Sequence, residues 1–521
     1  MNQTSHGYYE YLSTTSFRLF TAVMLPNATD TYPTLLIRTP YVANLEPLNE
    51  EQIIDFYLDS QAKWLQSGYA VVIQHCRGCG KSDGEFIPYI NEREDGLALQ
   101  AWVRSQPFYN GELYLYGSSY LSSVHYTTAP FAADIKGAIF GVQDTERYNI
   151  CYRNGFLKSG LHANWFSVMY KQKTLKNRNY VPEALRMLPL SDYCETVFGE
   201  PADVLNAVLK NPNRNDPHWS TQWGGSDARD AVKNPHFPIL FTTGFYDIYT
   251  GGIFTMWKNM DPAARSRCAL VVSPYDHGDN PQPIVSPNGK RTEYFGENYE
   301  IQWMNYIRGM NQSPFVLGNV TYYSLFENQW KSDNFQNDSQ LRLRFGEKTH
   351  SYVYNPYAPP SFPGGLCCNF DGAAFQDPPN SRYDIISVYS EPFAEDTLVK
   401  GRMTGALQVS SDCADTCFYA RLSITTENGD YGLRDDITSL CKQYPDYVPG
   451  SVVPLSFTFD EHAFLIQKGA RIRLDIASAD AAHYVPHTNK KGLYSIQTTA
   501  KIAHNTVFLK ESYVDLPVVN L

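Results

Sequence analysis

The segment Tyr114–Ser122 restricts the fold of this chain more than any other segment. A short apolar and aromatic run ends in the triplet Gly117-x-Ser119, and residues compatible with a helix follow at once. This order predicts a strand, a tight turn and a helix, with the Ser119 hydroxyl projecting from the top of a sheet as a nucleophile. Gly117 suits the turn because the neighbouring backbone leaves little room for a side chain. The common five-residue pattern has a second glycine where this chain has Leu121, so Ser122 is the small residue that we expect to allow close helix packing.

Strand and helix patterns alternate on both sides of this segment. Apolar runs of strand length are bounded by turn residues, and between them lie segments with the spacing of amphipathic helices. Alternation of this kind predicts a mainly parallel sheet covered by helices on both faces. The predicted strands are 34–38, 69–74, 112–116, 238–243 and 268–273, and the predicted helices are 53–67, 93–105 and 299–308.

Changes in pattern along the 521 residues predict several domains, as the length also does. Aromatic segments compatible with helices, such as 160–172 and 181–190, predict a helical insertion. After residue 315, short alternating segments between turn clusters predict an all-β domain, a sandwich or jelly roll. We therefore predict an α/β core over 1–126 and 237–315, a helical cap over 127–236 and a β domain over 316–521.

Two residues that follow predicted strands supply the groups that a serine nucleophile needs. Serine requires a base within hydrogen-bonding reach and a third group that fixes the tautomer of that base. Asp247 and His277 each lie just past a buried strand, so Ser119, acid and histidine occur in the chain order expected for such a sheet. Taken singly, an Asp in a turn is more often a helix cap and a His a packing residue. Asp276 and Asp279 are alternative acids, although both are too near His277 in sequence to reach the far side of its imidazole easily.

Stabilising a tetrahedral intermediate requires hydrogen-bond donors directed at its oxyanion. The backbone N–H of Tyr120, the residue after the nucleophile, is one donor in such a turn. The strand 34–38 leads into a loop that carries Tyr41, whose phenol is a candidate second donor. From its spacing alone, a tyrosine in this loop is more often a packing residue.

Composition narrows the possible partners and the compartment. The net charge of −11 argues against nucleic-acid binding, and no apolar run is long enough for a transmembrane helix. The first residues lack a signal-peptide pattern, so the expected location is the cytoplasm. Cys76 and Cys79 have redox or zinc spacing, but no second pair follows, and we predict neither a metal nor a cofactor.

Five motifs stand in order along the chain: Arg38–Tyr41, Gln74–Gly84, Gly117–Ser122, Gly244–Asp247 and Pro274–His277. In order and spacing they resemble the cocaine esterase-like and X-Pro dipeptidyl-peptidase (S15-type) family of α/β-hydrolases. A further segment, Ile466–Leu474, is similar to a strand of the family's C-terminal domain. The resemblance therefore covers nearly the whole chain and is weakest over the insertion.

The resemblance implies an α/β-hydrolase core with a helical cap and a C-terminal jelly roll that closes over the active site. It implies that Ser119 is the nucleophile, His277 the base and Asp247 the orienting acid. It also strengthens the assignment of Tyr41 as an oxyanion donor, together with the Tyr120 N–H. The segment around Cys76 and Cys79 then becomes a structural turn.

Three aromatic residues are predicted to contact the substrate. Trp165 and Tyr249 fall where family members place aromatic contacts with the acyl group, and Phe245 stands where tryptophan is common in the pocket wall. Family members commonly have glycine where this chain has Ser122, a change between small residues that is expected to preserve close packing.

These residues together predict a serine hydrolase that cleaves an ester or amide bond through a covalent acyl-enzyme. X-Pro dipeptidyl-peptidase activity and α-amino acid ester hydrolase or acylase activity are the alternatives, and a non-catalytic binding protein is a remote one. The peptidase and α-amino ester activities need carboxylates for the substrate's free ammonium group. The expected partner is a small ester, amide or short peptide; a homodimer is one arrangement that the sequence leaves open. The cap offers Glu195, Glu200, Asp203 and Asp216 as such carboxylates.

Overall fold

The computed structural model describes residues 5–13, 17–160, 165–170, 186–221, 228–278, 298–337, 339–366 and 372–519. Its strands are β1 (His6–Ser13), β2 (Arg18–Leu25), β3 (Tyr32–Thr39), β4 (Ala70–His75), β5 (Tyr109–Ser118), β6 (Ile135–Gly141), β7 (Tyr152–Arg153), β8 (Phe156–Leu157), β9 (Ile239–Tyr246), β10 (Ala269–Asp276), β11 (Val320–Ser324), β12 (Gln329–Asp333), β13 (Gln340–Leu343), β14 (Thr349–Tyr354), β15 (Ile386–Tyr389), β16 (Thr397–Ser411), β17 (Cys417–Thr426), β18 (Gly429–Ser439), β19 (Val453–Ile466), β20 (Ile472–Ala477) and β21 (Ala503–Pro517).

The α-helices are short, and among the described residues none combines the length and apolar character needed to cross a membrane. They are α1 (Glu50–Ser60), α2 (Ala62–Gln66), α3 (Glu92–Arg104), α4 (Tyr120–Tyr126), α5 (Arg147–Cys151), α6 (Ser167–Met169), α7 (Tyr193–Phe198), α8 (Asp203–Lys210), α9 (His218–Thr221), α10 (Thr250–Asn259), α11 (Pro262–Arg265), α12 (Tyr299–Ile307) and α13 (Leu440–Gln443).

One large sheet carries the α/β part of the molecule, in the order β1-β2-β4-β3-β5-β6-β9-β10-β11-β12. From β4 to β11 neighbouring strands run parallel, whereas β1, β2 and β12 pair antiparallel at the two edges. The central strands are continuous buried runs, as in β4, where all six residues are buried. Such runs are typical of parallel strands that are covered on both faces. The predicted α/β core is confirmed.

Beyond β12, the described strands form two antiparallel sheets. One has the order β13-β21-β16-β19, with β14 also paired to β21, and the other has the order β15-β20-β17-β18. Apolar side chains such as Phe418, Leu422 and Leu474 in the second sheet are fully buried. The predicted all-β C-terminal domain is confirmed.

Two of the predicted domain boundaries fall inside the large sheet. β6 lies within the predicted cap range 127–236, yet it pairs parallel with β5 and β9. β11 lies beyond the predicted core limit of 315, yet it pairs parallel with β10. The glycines of β6 weaken its apolar pattern, and the alternation of β11 is equally typical of an all-β domain. The insertion therefore starts after Gly141, and the large sheet continues through Asp333.

The described part of the insertion between β6 and β9 contains more than helices. It holds the short helices α5 to α9 and a hairpin formed by β7 and β8. The predicted helical segments 160–172 and 181–190 lie partly outside the described residues. The hairpin is not in the predicted pattern, because strands of two residues leave no periodicity to detect.

Ion pairs with buried carboxylates join the β domain to the rest of the molecule. Arg153 in β7 lies 2.8 Å from the Asp436 carboxylate and 2.5 Å from that of Asp460. Lys258 in α10 lies 2.7 Å from the Glu461 carboxylate, whose side chain is fully buried. The insertion and the core are therefore both tied to neighbouring residues of β18 and β19.

Candidate active site

The predicted turn between β5 and α4 has a strained backbone at Ser119. Ser119 adopts φ +56° and ψ −125°, a combination that costs a residue with a side chain about 1–3 kcal/mol. The turn is tight, because a Cβ added to Gly117 would lie 2.2 Å from the carbonyl oxygen of Leu121. The Ser122 hydroxyl donates to the carbonyl oxygens of Gly117 at 2.8 Å and of Gly141 at 3.0 Å. Ser122 thus ties the turn to β6, which a glycine could not do.

A continuous chain of hydrogen bonds connects Ser119, His277 and Asp247. Ser119 Oγ lies 2.8 Å from His277 Nε2, and His277 Nδ1 lies 2.8 Å from Asp247 Oδ1. The three residues follow β5, β10 and β9, whose carboxyl ends lie at the same edge of the sheet. With Nδ1–H donating to the carboxylate, Nε2 is left as an acceptor that faces the serine hydroxyl.

The Asp247 carboxylate is fully buried and accepts further hydrogen bonds. The Thr243 hydroxyl donates to Oδ2 at 2.8 Å, and the backbone N–H of Tyr249 donates to Oδ1 at 3.3 Å. Buried carboxylates need such partners, because desolvation without them is costly. These bonds hold Asp247 in one orientation towards His277.

Asp276, one of the two alternative acids, does not occupy this position. The Asp276 carboxylate is buried and accepts a hydrogen bond from the backbone N–H of Gly278 at 2.9 Å. Asp279 lies outside the described residues. The structure therefore places Asp247, and not Asp276, against His277 Nδ1.

Tyr41 and Tyr120, the residues that carry the two candidate oxyanion donors, both contact Trp165. Tyr41 follows β3 and is partly exposed, and the Trp165 indole N–H donates to its phenolic oxygen at 3.1 Å. The Trp165 ring also stacks on the Tyr120 ring at a centroid distance of 5.4 Å. Trp165 was predicted to contact substrate; the structure places it between the loop of Tyr41 and the first residue of α4.

Charged and polar side chains lie buried beneath the turn. The Tyr120 hydroxyl donates to Glu92 at 2.6 Å, and Arg38 donates to the same carboxylate at 2.6 Å. Arg77 pairs with the buried Asp95 at 2.6 Å. Burial, followed by the nearby Glu92 carboxylate, raises the pKa of the Tyr120 phenol well above its usual value. Sequence reasoning missed Glu92, although its position just before an amphipathic helix of the core was visible.

The other two aromatic residues predicted to line the pocket lie behind the histidine and the acid. Tyr249 is buried and its ring meets His277 edge to face at 5.5 Å. Phe245 is inaccessible to solvent and stacks on His462 at 4.6 Å. The burial of Phe245 does not support its predicted contact with substrate, since the β domain occupies the space beside its ring.

Strand β19 therefore supports the loop that carries the acid. Burial, and after it the charge of Arg434, lowers the pKa of His462 well below its usual value, so its ring is neutral. Next to it, the Asp460 carboxylate fills the space above Gly251, where an added Cβ would lie 2.3 Å from Asp460 Oδ1. The Tyr246 hydroxyl donates to the carbonyl oxygen of Gly432 at 3.0 Å.

Three of the four predicted cap carboxylates are exposed, and the fourth caps a turn. Glu195, Glu200 and Asp203 are exposed, and the Asp216 carboxylate accepts a hydrogen bond from the backbone N–H of Asn213 at 2.9 Å. These positions are typical of solvated charges and turn caps.

Cys76 and Cys79 are buried thiols, not joined in a disulfide, at the start of a glycine-rich turn. Burial raises the pKa of Cys76 well above its usual value, which suits an inert packing residue. Among the described residues, one group of metal-ligating type converges, formed by Asp435, Asp480 and His483 in the β domain. Arg421 lies near this group. Burial acts to lower the pKa of its guanidinium, but Tyr419 and the carboxylates of Asp435 and Asp480 act to raise it, and the net shift is upward. Arg421 thus supplies a positive charge that the cluster would otherwise need from a cation.

Comparison with known proteins shows which proteins this chain is similar to. The chain is 21% identical to the cocaine esterase of Rhodococcus sp. (strain MB1 Bresler) over 91% of each chain. It is similar in fold to an aminopeptidase from a marine sediment Thaumarchaeota archaeon, with a TM-score of 0.80 and 15% identity over 99% of this chain and 97% of that one. It is also similar to an α-amino acid ester hydrolase, with a TM-score of 0.79 and 15% identity over 99% and 97% of the two chains.

Two sequence models of protein families match the chain. The model of X-Pro dipeptidyl-peptidase (S15 family) matches residues 16–279, just over half of the chain. The model of the X-Pro dipeptidyl-peptidase C-terminal non-catalytic domain matches residues 347–514. Core and β domain are thus matched in the same order, and the chain belongs to the X-Pro dipeptidyl-peptidase (S15) family of α/β-hydrolases.

Proposed function

We propose that this protein is a serine hydrolase that cleaves an ester or amide bond through an acyl-enzyme on Ser119. The observation that carries the proposal is the hydrogen-bond chain from Ser119 Oγ through His277 to the buried Asp247. The strained backbone at Ser119 supports it, because strain of this kind is retained where it aims a functional side chain. Membership in a family of hydrolases supports the reaction class.

In the first step, Ser119 Oγ attacks the carbonyl carbon while its proton moves to His277 Nε2. The carbonyl π electrons move to the oxygen, which becomes an oxyanion that the Tyr41 hydroxyl and the Tyr120 N–H stabilise by hydrogen bonds. Asp247 stabilises the imidazolium that forms. Collapse of the intermediate breaks the bond to the leaving group, which takes the proton from Nε2 and departs as an alcohol or amine.

In the second step, water replaces the leaving group. His277 Nε2 takes a proton from water as its oxygen attacks the acyl carbon. The second tetrahedral intermediate then expels Ser119, which recovers its proton from His277. The reaction needs no group beyond the side chains and backbone donors named.

Simple esters and amides are the proposed substrate class, ahead of substrates that carry a free α-ammonium group. The four acids that the sequence offered for such a group do not favour an ammonium site at their own positions, because Glu195, Glu200 and Asp203 are exposed and Asp216 caps a turn. Parallel assays with p-nitrophenyl acetate, Gly-Pro-p-nitroanilide and an α-amino acid methyl ester test this order. Faster turnover of the second or third compound would assign the peptidase or the α-amino ester activity instead.

Labelling with a fluorophosphonate probe tests the nucleophile directly. The wild type is expected to be labelled and to hydrolyse p-nitrophenyl acetate, whereas Ser119→Ala loses both activities and keeps its unfolding temperature. Ser118→Ala is the matched control, because Ser118 precedes the strained residue and ends β5; it is expected to keep labelling. Labelling of Ser119→Ala at the wild-type rate contradicts the proposal, and absence of labelling in the wild type favours a non-catalytic binding protein.

A further inference from the structure

Glu92, the first residue of α3, contacts the side chain of Tyr120, whose N–H is one proposed oxyanion donor, and that of Arg38, three residues before the other donor, Tyr41. Its carboxylate is buried, with the residue only 4% exposed. Oε1 accepts a hydrogen bond from the Tyr120 hydroxyl at 2.6 Å, and Oε2 accepts one from Arg38 Nη1 at 2.6 Å. Both distances are typical of strong, charge-assisted hydrogen bonds. One carboxylate therefore links α4, which starts at Tyr120, with the end of β3.

Arg38 transmits this restraint to the loop of Tyr41. It is buried near the end of β3, three residues before Tyr41. Besides the Glu92 carboxylate, its guanidinium contacts the Gln74 side chain at 3.0 Å and Asp95 at 3.7 Å. A buried guanidinium held on several sides has one orientation available, because each lost contact leaves a desolvated charge. The contacts of Arg38 therefore hold the end of β3, from which the loop of Tyr41 departs, in one position.

Tyr120 transmits the restraint to the other donor. Its hydroxyl is anchored by Glu92 and also accepts a hydrogen bond from the backbone N–H of Tyr89 at 2.9 Å. Its ring packs against Trp165, which in turn donates to Tyr41. The side chain of Tyr120 is thus held at its far end, and its backbone N–H stays beside the strained Ser119.

We propose that Glu92 is a positioning residue that sets the separation of the two oxyanion donors. This inference rests on the proposed role of Ser119 as nucleophile. An oxyanion hole works only when its donors lie about 2.7–3.1 Å from the oxygen in the transition state, so small displacements lower turnover. Glu92 touches neither substrate nor the reacting atoms; it acts through Tyr120 and Arg38.

The substitution Glu92→Gln tests this role, since it keeps the shape of the side chain and removes its charge. The amide oxygen can accept from Arg38, and the amide NH2 group then faces the Tyr120 hydroxyl, so both charge-assisted hydrogen bonds are replaced by weaker ones. We expect kcat for p-nitrophenyl acetate to fall about 100-fold, with KM within about threefold of wild type, as for an interaction made only in the transition state. Glu94→Gln is the matched control, because Glu94 lies in the same turn of α3 with 62% of its side chain exposed; its kcat is expected to stay unchanged.

A double-mutant cycle with Tyr41→Phe separates positioning from a general loss of stability. If Glu92 acts through the oxyanion hole, the loss in kcat for the double variant is much smaller than the product of the two single losses. A boronic acid that forms a tetrahedral adduct with the serine should also bind more weakly to Glu92→Gln, by about the same factor as kcat/KM falls. Fully multiplicative losses, or a fall in kcat of less than about threefold, overturn the inference.

Two further measurements keep the outcome decisive. If Glu92→Gln does not fold, Tyr120→Phe removes the hydroxyl that bonds to Glu92 and to the Tyr89 N–H, while Arg38 keeps its bond to Glu92. The same fall in kcat at constant KM is expected, and an unchanged kcat overturns the inference. Fluorophosphonate labelling of the wild type at Ser119 tests the proposed function separately. Labelled wild type with an active Glu92→Gln variant refutes the positioning role alone, whereas unlabelled wild type refutes the nucleophile on which it rests.

Discussion

Replacing Asp247 with asparagine should slow turnover strongly while leaving the tautomer of His277 intact. The Thr243 hydroxyl donates to Asp247 Oδ2, but a hydroxyl can also accept. The asparagine NH2 group is therefore expected to donate to Thr243, and its oxygen to keep accepting from His277 Nδ1 and the Tyr249 N–H. Geometry is retained and the negative charge is lost.

The size of the effect follows from that charge. The transition state carries an imidazolium beside Asp247, with Nδ1 to Oδ1 at 2.8 Å. For an effective separation of about 4 Å and an effective dielectric constant of about 20, this attraction is worth about 4 kcal/mol. Each 1.36 kcal/mol corresponds to a factor of ten in rate, so kcat should fall by about 10³. A tautomer error would cost more, about 10⁴ in kcat.

The assay is steady-state hydrolysis of p-nitrophenyl acetate by Asp247→Asn, with Asp276→Asn as the control. Asp276 accepts from the Gly278 N–H and not from the imidazole, so its substitution should cost less than tenfold in kcat. Adding Thr243→Val to Asp247→Asn should lower kcat further, because the amide is then no longer held in the productive orientation. A loss below tenfold for Asp247→Asn, or a larger loss for Asp276→Asn, would refute the assigned role of the carboxylate.

Two predictions concern stability. Arg153→Ala leaves the buried Asp436 and Asp460 carboxylates without their shared partner and should lower the free energy of unfolding by about 3–5 kcal/mol in urea titrations. Arg104→Ala breaks a partly exposed ion pair and should lower it by less than about 1 kcal/mol. Equal losses for the two variants would contradict this reasoning. Burial raises the pKa of Asp144 to about 6. The charged form of Asp144 therefore lowers the free energy of unfolding. This loss is absent below about pH 4 and complete above about pH 6, where it reaches about 3 kcal/mol for two pKa units. Asp144→Asn should flatten the stability profile between pH 4 and 6, and parallel wild-type and variant profiles would exclude this effect.

The sequence indicated the central strands well, because each is a buried apolar run that ends at turn residues. β4, β5, β9 and β10 lie where those runs predict them. The edge strands were missed for a physical reason: β1 is half-exposed along its length and shows no apolar run. β6 was missed because two glycines interrupt it, and its pairing depends on neighbours distant in sequence.

The same distinction applies to the candidate site. Ser119, Asp247 and His277 each carry a local signal, a turn after a strand, and the structure brings their side chains together. The surroundings carry no such signal. The burial of Phe245 depends on His462, which lies far along the chain. The hydrogen bond between Tyr120 and Glu92 forms only when two helices pack against one strand, and neither residue carries a local pattern that predicts this packing.

The contact of β19 with the loop of Asp247 has a consequence for the order of events in the cell. Phe245 stacks on His462, and Gly251 packs under Asp460, so two residues of β19, more than 200 positions after Asp247, complete the support of the acid. A nascent chain that has released only its core from the ribosome lacks that support. The protein is therefore expected to acquire activity only after β19 has been synthesised and has packed against the loop of Asp247.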